Sequence, residues 1–370
     1  MTRWLFLTAF VLVLELVTWL VAKGVFWLVK PYLPHGRTLI MISAFVLSNL
    51  MVATLFMGQF RLGMGYFALL WMMLLSMSVT VVIVHVSRHL GQTELADGIG
   101  IRLLSVASFV GLIGLALYNA YTPVVRHLSI VLDKPIAHSV RFAVASDLHL
   151  GALFGSKHLY KLADILAEQQ VDMLLMPGDI MDDDTHIYDK QQMQTAFKAV
   201  VAATKSGVVA SLGNHDLYNQ NERYAIAQAI MATGTTLLND QVTTVVINDT
   251  PFTIIGRFDD HAKNRLTTAK LLRGINTDHP VILLDHRPSQ IQTNTKLPID
   301  LQVSGHTHNG QIFPANFIIK TINRLGYGYE KINNTHVVVS SGYGFWGVPF
   351  RLASQSEIWV ITVVGNHATP

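Results

Sequence analysis

The chain has no cysteine, which excludes disulfides and thiolate ligands without choosing a compartment. Charge is scarce too. Only 14% of the 370 residues are Asp, Glu, Lys or Arg, where an ordinary soluble domain carries about a quarter. No internal repeat or low-complexity tract is evident. No basic stripe with interleaved aromatics occurs either, which argues against nucleic acid as a partner. What replaces charge is apolar length: 51% of residues are hydrophobic, and the excess lies in the first 120 positions.

Trp4–Leu20, Leu39–Met57, Met64–Val86 and Leu103–Leu117, the last extending to Tyr121 if started at Ile101, are long apolar runs. A bilayer core needs about 20 residues of helix, so four membrane spans are expected over residues 1–121. Buried helices of a soluble domain fit poorly, because the stretches between the runs lack the charge that solvated faces need. No small-residue cleavage site follows the first run, so it does not read as a signal peptide. Trp4, Trp19, Trp27, Tyr66 and Trp71 fall near span ends, where amphipathic rings sit at headgroup level. The lone carboxylate within a span, Glu15, is costly against lipid and is expected to face another helix or the interface.

Up to residue 140 there are nine Lys/Arg against four Asp/Glu, whereas residues 141–370 hold 18 against 20. The formal charge of +3 therefore belongs to the membrane half. An even number of spans puts both termini on one side, which carries Arg3, Arg61, Arg126 and Lys134. The other side carries Lys23, Lys30, Arg37, Arg88 and Arg102. The first span, with Arg3 before it and Lys23, Lys30 and Arg37 after it, leans toward an outside N-terminus. The expectation is a multi-pass protein of the cell (inner) membrane with its large C-terminal domain on the non-cytoplasmic side.

Residues 122–140, with Pro123 and Pro135, read as the connection into a domain over 141–370, long enough for a substantial core. There the periodicity changes. Strand-like Phe142–Ala145, Met173–Met176 and Val208–Ala210 alternate with helix-like His158–Ala167, Asp189–Ala203 and Tyr224–Met231, as in βαβ units. After Thr236 the order is strand-rich: Val242–Ile247, Phe252–Ile255, Val281–Leu284, Leu301–Val303, Val337–Val339 and Ile358–Val363. Two packed mixed β-sheets flanked by helices, an αββα arrangement, would bury both sets.

Polar donors recur where these strands end: Asp147 and His149, Asp179 after Gly178, Asn214 and His215 after Gly213, His286, then His306 and His308. Open α/β sheets place ligands at strand ends, and residues two apart on extended backbone point the same way. Any one of these could be a turn former or a cap. Five such turns together would bury imidazoles and carboxylates at a cost unless they share partners. Carboxylate, amide oxygen and imidazole suit manganese, iron or zinc better than copper, and the histidine content argues against a purely magnesium or calcium site. Two ions about 3.5–4 Å apart under a shared carboxylate can clamp a phosphoryl group and acidify a bridging water, which becomes the nucleophile.

Asp147-Leu148-His149, Gly178-Asp179, Gly213-Asn214-His215-Asp216 and Gly305-His306-Thr307-His308 resemble in type and order the motifs of the calcineurin-like metallophosphoesterases, over residues 141–364. The resemblance implies a first metal on Asp147, His149, Asp179 and His308, and a second on Asp179, Asn214, His286 and His306. It implies that His215 contacts the phosphate and protonates the leaving oxygen, with Asp216 orienting the ring. Mn2+ is the foremost candidate for both ions, with iron or zinc as alternatives. The membrane-associated branch of the family commonly has Gly-Gly-Gln after the last ligands, where this chain has Asn309-Gly310-Gln311. If a positive φ is needed there, asparagine is the most tolerable replacement. Ser341-Gly342-Tyr343-Gly344 and Gly347-Val348-Pro349-Phe350-Arg351 also resemble that branch, and Arg351 either approaches the phosphate or forms a structural ion pair.

Phe313, Phe317, Ile318, Ile319, Tyr343, Phe345, Trp346 and Phe350 either close the core or form an apolar rim facing the bilayer. The expected function is a membrane-bound, metal-dependent phosphohydrolase acting on a phosphomonoester or phosphodiester in a lipid or lipid-linked molecule. The alternative is a membrane-anchored sensor or scaffold that uses the fold for binding; the complete donor set favours the enzyme. Reporter fusions at the C-terminus and in the loop around Gly58–Gly63 are expected to read the same, non-cytoplasmic side. A cytoplasmic C-terminal signal would reverse the compartment and leave the metal chemistry untouched.

Overall fold

A computed structural model describes residues 2–94 and 98–366, with side chains from Thr8 onward, so the Trp4 side chain lies outside the described ones. Two compact units result, Met1–Tyr118 and Asn119–Pro370.

The first unit is built from α1 (Thr2–Val29), α2 (Arg37–Phe56), α3 (Phe60–His89) and α4 (Ile99–Tyr121). All four are long and apolar enough to cross a membrane, which gives the multi-pass architecture expected. α1 runs on past Leu20 to Val29, and the one charge in that extension, Lys23, lies 4.1 Å from the centroid of the Trp19 ring, a favourable site for a cation. Polar groups inside the unit find each other. Thr18 Oγ1 and Ser48 Oγ share a hydrogen bond of 2.8 Å, and Ser48 Oγ lies 2.6 Å from Tyr66 Oη. Glu15 faces α2, where Asn49 Nδ2 donates to its carboxylate at 3.0 Å.

Twelve strands lie in the described part of the second unit: β1 (Val124–Leu132), β2 (Val140–Val144), β3 (Met173–Pro177), β4 (Val208–Ser211), β5 (Thr236–Leu237), β6 (Gln241–Ile247), β7 (Thr250–Gly256), β8 (Val281–Leu284), β9 (Leu301–Ser304), β10 (Gly328–Ile332), β11 (Thr335–Val339) and β12 (Glu357–Gly365). They form two six-stranded sheets, ordered β1-β12-β2-β3-β4-β5 and β10-β11-β9-β8-β7-β6. Both are mixed: β2 to β5 run parallel and β12 antiparallel to β2, while β7, β8, β9 and β11 run parallel between antiparallel β6 and β10.

Side-chain alternation explains the layering. In β2 and β3, Phe142, Val144, Met173 and Leu175 point into the core between the sheets, against Phe252, Ile254, Ile282 and Leu284. Ala143, Leu174 and Met176 point the other way, onto α5 (Ser156–Glu168), α7 (Met193–Ala202) and α9 (Arg223–Met231). In α5 the buried set is Leu159, Leu162, Ala163 and Leu166, one stripe at helical spacing. Leu271 of the short α10 (Thr268–Leu271) covers the outer face of the second sheet with Ile255 and Leu283. The αββα arrangement is therefore as expected.

Two details differ from the sequence reading. The stretch read as a connection holds β1, which pairs parallel with β12 over nine residues, from Val124 opposite Glu357 to Leu132 opposite Gly365. Leu128, Ile130 and Leu132 alternate into the inter-sheet core, and Pro123 and Pro135 bound the strand. The helix expected over Asp189–Ala203 is broken into α6 (His186–Lys190) and α7, because Gln192 adopts a left-handed φ of 50°.

A buried ion network braces the second sheet. Arg257, just after β7, donates to Asp285, just after β8, at 3.0 Å, and Arg265 caps the other carboxylate oxygen. Asn294 Nδ2 adds a bond of 3.2 Å to the same carboxylate. Arg257 is 1% exposed and Asp285 fully buried, so removing the acid leaves the Arg257 guanidinium without its carboxylate, while Arg265 keeps Asp260. Asp285→Ala is expected to destabilise the second unit by about 3–5 kcal/mol, read as a lower midpoint of thermal unfolding. An unchanged midpoint would show that the network contributes nothing net.

Candidate metal centre

Each ligand-bearing turn leaves the end of a strand, and most bend in a way that only a defined environment sustains. Asp147, His149, Asp179, His306 and His308 all have positive φ, between 47° and 71°. Such left-handed positions cost roughly 1–3 kcal/mol each for non-glycine residues and cluster at functional sites. Two glycines make room for them. A Cβ at Gly213 would collide with the Asp179 carboxylate, and one at Gly305 with that of Asp147. Asn309 also has a left-handed φ of 49°, the conformation for which asparagine is the tolerated substitute.

The turns converge on two groups of donors: Asp147, His149 and His308 in one, Asp179, His286 and His306 in the other. His149 Nε2 lies 3.2 Å from His308 Nε2, and His308 Nε2 lies 3.5 Å from Asp147 Oδ1. Asp179 Oδ2 lies between the groups, 3.2 Å from His286 Nε2 and 3.8 Å from His149 Nε2. Asn214 Oδ1 approaches His286 Nε2 at 3.2 Å. All seven residues expected as ligands are thus brought together. Backbone amides hold the carboxylates, with His306 N donating to Asp147 at 2.9 Å and His215 N to Asp179 at 2.8 Å. His286 Nδ1–H donates to the Pro177 carbonyl at 2.8 Å, which fixes its tautomer and turns Nε2 toward the other donors.

The electrostatics fit divalent cations. Burial first, then neighbouring positive charge, lowers His149 and His306 to about 3, and His308 is also held well below the ordinary range. These imidazoles are neutral, as ligation requires. Burial opposes ionisation of Asp179, but His286, His149 and His215 outweigh it and keep the carboxylate ionised. Burial likewise opposes charge on His286, yet Asp179 raises it to about 10, so a cation binding there would displace that proton. Asp147 is pushed up to about 6 by burial.

His215, first residue of α8 (His215–Tyr218), is orientated differently from the expectation. Its Nδ1 meets Asp183 Oδ1 at 2.8 Å. The Asp216 carboxylate is fully buried and accepts N–H bonds from Ile180, Met181 and Gly213 at 2.8–3.2 Å. One helical step, about 100°, separates the two side chains, so Asp216 turns inward and ties two ligand turns together. Burial opposes protonation of His215, but the Asp183 bond and the Asp179 charge raise its pKa. Its ring is edge-on to His149 at 4.9 Å between centroids, and the two share a donor group with Asp182.

Arg351 is also placed otherwise. It is fully buried, and its Nη2 donates to the carbonyls of Ser341 at 2.7 Å and Gly344 at 2.5 Å and lies 3.1 Å from His308 Nδ1. The guanidinium thus folds the closing loop behind His308, and no donor is directed outward. Asp182 and Asp183 were missed as site residues; Asp182 Oδ1 lies 3.7 Å from His149 Nδ1. The three consecutive acids Asp182-Asp183-Asp184, directly after the Gly178-Asp179 turn, were the available signal. Of the apolar residues, Tyr343 and Phe345 belong to the core against the helices, whereas Phe317 and Ile318 are 59% and 60% exposed.

Residues 140–310 match the calcineurin-like phosphoesterase family. The second unit carries a calcineurin-like metallophosphoesterase domain. The chain is 30% identical over 244 residues to an uncharacterized metallophosphoesterase of Helicobacter pylori, covering 64% of this chain and 62% of that protein. It is 28% identical over 279 residues to a transmembrane protein with metallophosphoesterase domain of Bos taurus, covering 71% and 61%. Against the uncharacterized metallophosphoesterase YkuE of Bacillus subtilis it is 27% identical over 227 residues, covering 60% and 78%. The chain thus spans a little over three fifths of the first two relatives. It is a metallophosphoesterase-superfamily protein with membrane-spanning helices.

His215→Ala is expected to keep bound metal yet lose roughly 10²-fold or more in rate on a phosphoester with a poor leaving group, and less on an activated one. Asp183→Asn should shift rates in the same sense by a smaller factor, whereas Asp216→Asn should lower thermal stability. Equal losses on poor and activated leaving groups would make His215 a phosphate-positioning residue.

Proposed function

We propose that the protein is a membrane-bound, dinuclear metal-dependent phosphoesterase, cleaving a phosphomonoester or phosphodiester in a lipid or lipid-linked molecule, with its catalytic domain on the non-cytoplasmic side. The observation that carries the reading is the position of Asp179, whose Oδ2 lies 3.8 Å from His149 of one group of imidazole and carboxylate donors and 3.2 Å from His286 of the other. Asp147, His149, Asp179 and His308 would hold one ion, and Asp179, Asn214, His286 and His306 the other. This donor set, hard oxygens with imidazole nitrogens, supports manganese, with iron or zinc as alternatives. Bound there, two such ions supply a clamp for phosphoryl oxygens and an acidified water.

The residues of the chain do the rest. His286 fixes the Asp179 carboxylate from one side, itself met by Asn214 Oδ1, and the His215 amide fixes it from the other. His215, whose protonated form Asp183 and Asp179 favour, would donate a proton to the oxygen that leaves the phosphorus. Asp216 and Arg351 keep the ligand turns in register without touching the substrate. The lipid part of the proposal is supported by the four membrane-length helices of the same chain.

Asp179→Asn tests the assignment. The variant should fold and insert, bind less than two equivalents of metal, and lose more than roughly 10²-fold in turnover of a chromogenic phosphoester by detergent-purified protein. Two full equivalents with wild-type turnover would rule the shared-ligand reading out. A panel of lipid phosphoesters, run beside soluble analogues, separates the lipid substrate from the metal chemistry.

A further inference from the structure

Helix α12 (Ala315–Ile322), which comes after the short α11 (Ile291–Asn294) and the last ligand turn, leaves its apolar side open. Phe317, Ile318 and Ile322 are 59%, 60% and 69% exposed, and at about 100° per residue they share an arc of ~140°. No acidic residue interrupts the helix, and its one charge is Lys320. The opposite side is tied down: Ile319 lies over Gly326, whose carbonyl accepts from Thr307 Oγ1 at 2.7 Å, between the ligands His306 and His308. α12 is therefore fixed to the metal-binding turn on one side and presents three large apolar side chains on the other.

What covers that side follows from where the segment leading into α12 is attached. Leu352 N donates to Gln311 O and Phe313 N to Leu352 O, both at 2.8 Å. The same loop, within the catalytic unit, holds the final turn of α4: Ser356 N donates to Asn119 O at 2.8 Å and Asn119 Nδ2 to Arg351 O at 3.2 Å. One further bond, Gln355 Nε2 to Thr122 O at 3.1 Å, secures the residue after the helix. A membrane-length helix ends at Tyr121, and the loop bonded to its last residues is the one bonded to the lead-in to α12.

We propose that α12 is an interfacial helix, inserting Phe317, Ile318 and Ile322 among the headgroups and upper acyl chains of the bilayer that holds the chain's own spans. Lys320, beside this arc, reaches back toward lipid phosphates, as basic residues on interfacial helices do. The metal-binding edge is thereby held at headgroup depth, where lipid phosphoesters lie. The inference rests on the reading of α1–α4 as membrane spans and does not require that any phosphoester be cleaved.

The absence of native cysteine makes the test direct. Full-length Phe317→Cys, Ile318→Cys, Ile322→Cys and, for reference, the exposed α7 position Lys198→Cys are each labelled with a nitroxide. They are reconstituted in vesicles of phosphatidylethanolamine and phosphatidylglycerol. Power-saturation electron paramagnetic resonance then compares access of oxygen with that of a water-soluble nickel chelate. The three α12 labels should favour oxygen, and the Lys198→Cys label should favour nickel. Nickel access on α12 as high as at Lys198→Cys overturns the proposal. So does exclusion of both relaxants with spin–spin broadening, which would put a second copy of the chain on this face.

A variant with Phe317→Ser, Ile318→Ser and Ile322→Ser should keep its rate on a soluble chromogenic phosphoester and lose at least about tenfold on a vesicle-borne lipid substrate. Equal rates of variant and wild type on a vesicle substrate that is turned over would overturn the proposal. If the labels are immersed and no lipid is turned over by either protein, the docking surface stands and the lipid-substrate reading fails.

Discussion

The arrangement of the second unit depends on keeping one buried carboxylate ionised. Asp179 is 2% exposed, and burial alone would neutralise it. It stays charged because three imidazoles surround it and the His215 amide donates to it, and each of those groups comes from a different strand end. β2 supplies His149, β4 supplies His215, β8 supplies His286, and Asp179 itself follows β3. No single hairpin could gather this set. Parallel strands from two sheets can, because parallel pairing sends successive strand ends to the same edge.

Much of the surrounding structure answers to that demand. Left-handed backbone at five ligand residues is sustained by turns that cannot relax, since Asp216 binds the turn after β3 to the one after β4 with three N–H bonds. Glycine at 213 and 305 lets backbone lie against carboxylate where any side chain would displace it. Behind His286, the two arginines on Asp285 fix the end of β8 through a charge pair that pays its desolvation by being complete. Behind His308, Arg351 ties three loop carbonyls together. These charges serve geometry, and the ligands inherit it.

This division explains what could be read in the sequence. Strand ends and their donors were legible, because a period of two and five polar turns are local signals. The αββα layering followed from the apolar strands. The role of Asp216 was not legible, because adjacency to His215 says nothing about which way a side chain faces after one helical step. Asp183 escaped for the complementary reason: its bond to His215 spans 32 residues and depends on a left-handed φ of 72°. Arg351 could be narrowed only to phosphate contact or internal pairing, since both need a guanidinium and only burial separates them. β1 was passed over because two prolines drew attention to a linker, although Leu128, Ile130 and Leu132 alternate between them as a strand requires.

The apolar residues after the ligand turns show the same limit. In sequence, Phe317 and Ile318 look no different from Tyr343 and Phe345, because hydrophobicity records a preference and not the partner that satisfies it. The fold separates them. Tyr343 and Phe345 fill the helix-side core, and Phe154 stacks edge-on against both rings. Phe317, Ile318 and Ile322 stay exposed, although the Phe313 ring meets Phe317 edge-on at 5.9 Å between centroids. Single exposed apolar residues are ordinary, but three on one arc of a short helix, fixed to a metal-binding turn, are not. The loop from Arg351 to Ser356 adds the decisive constraint. It bonds the lead-in to α12 and Asn119 and bears the guanidinium beside His308, all within the second unit.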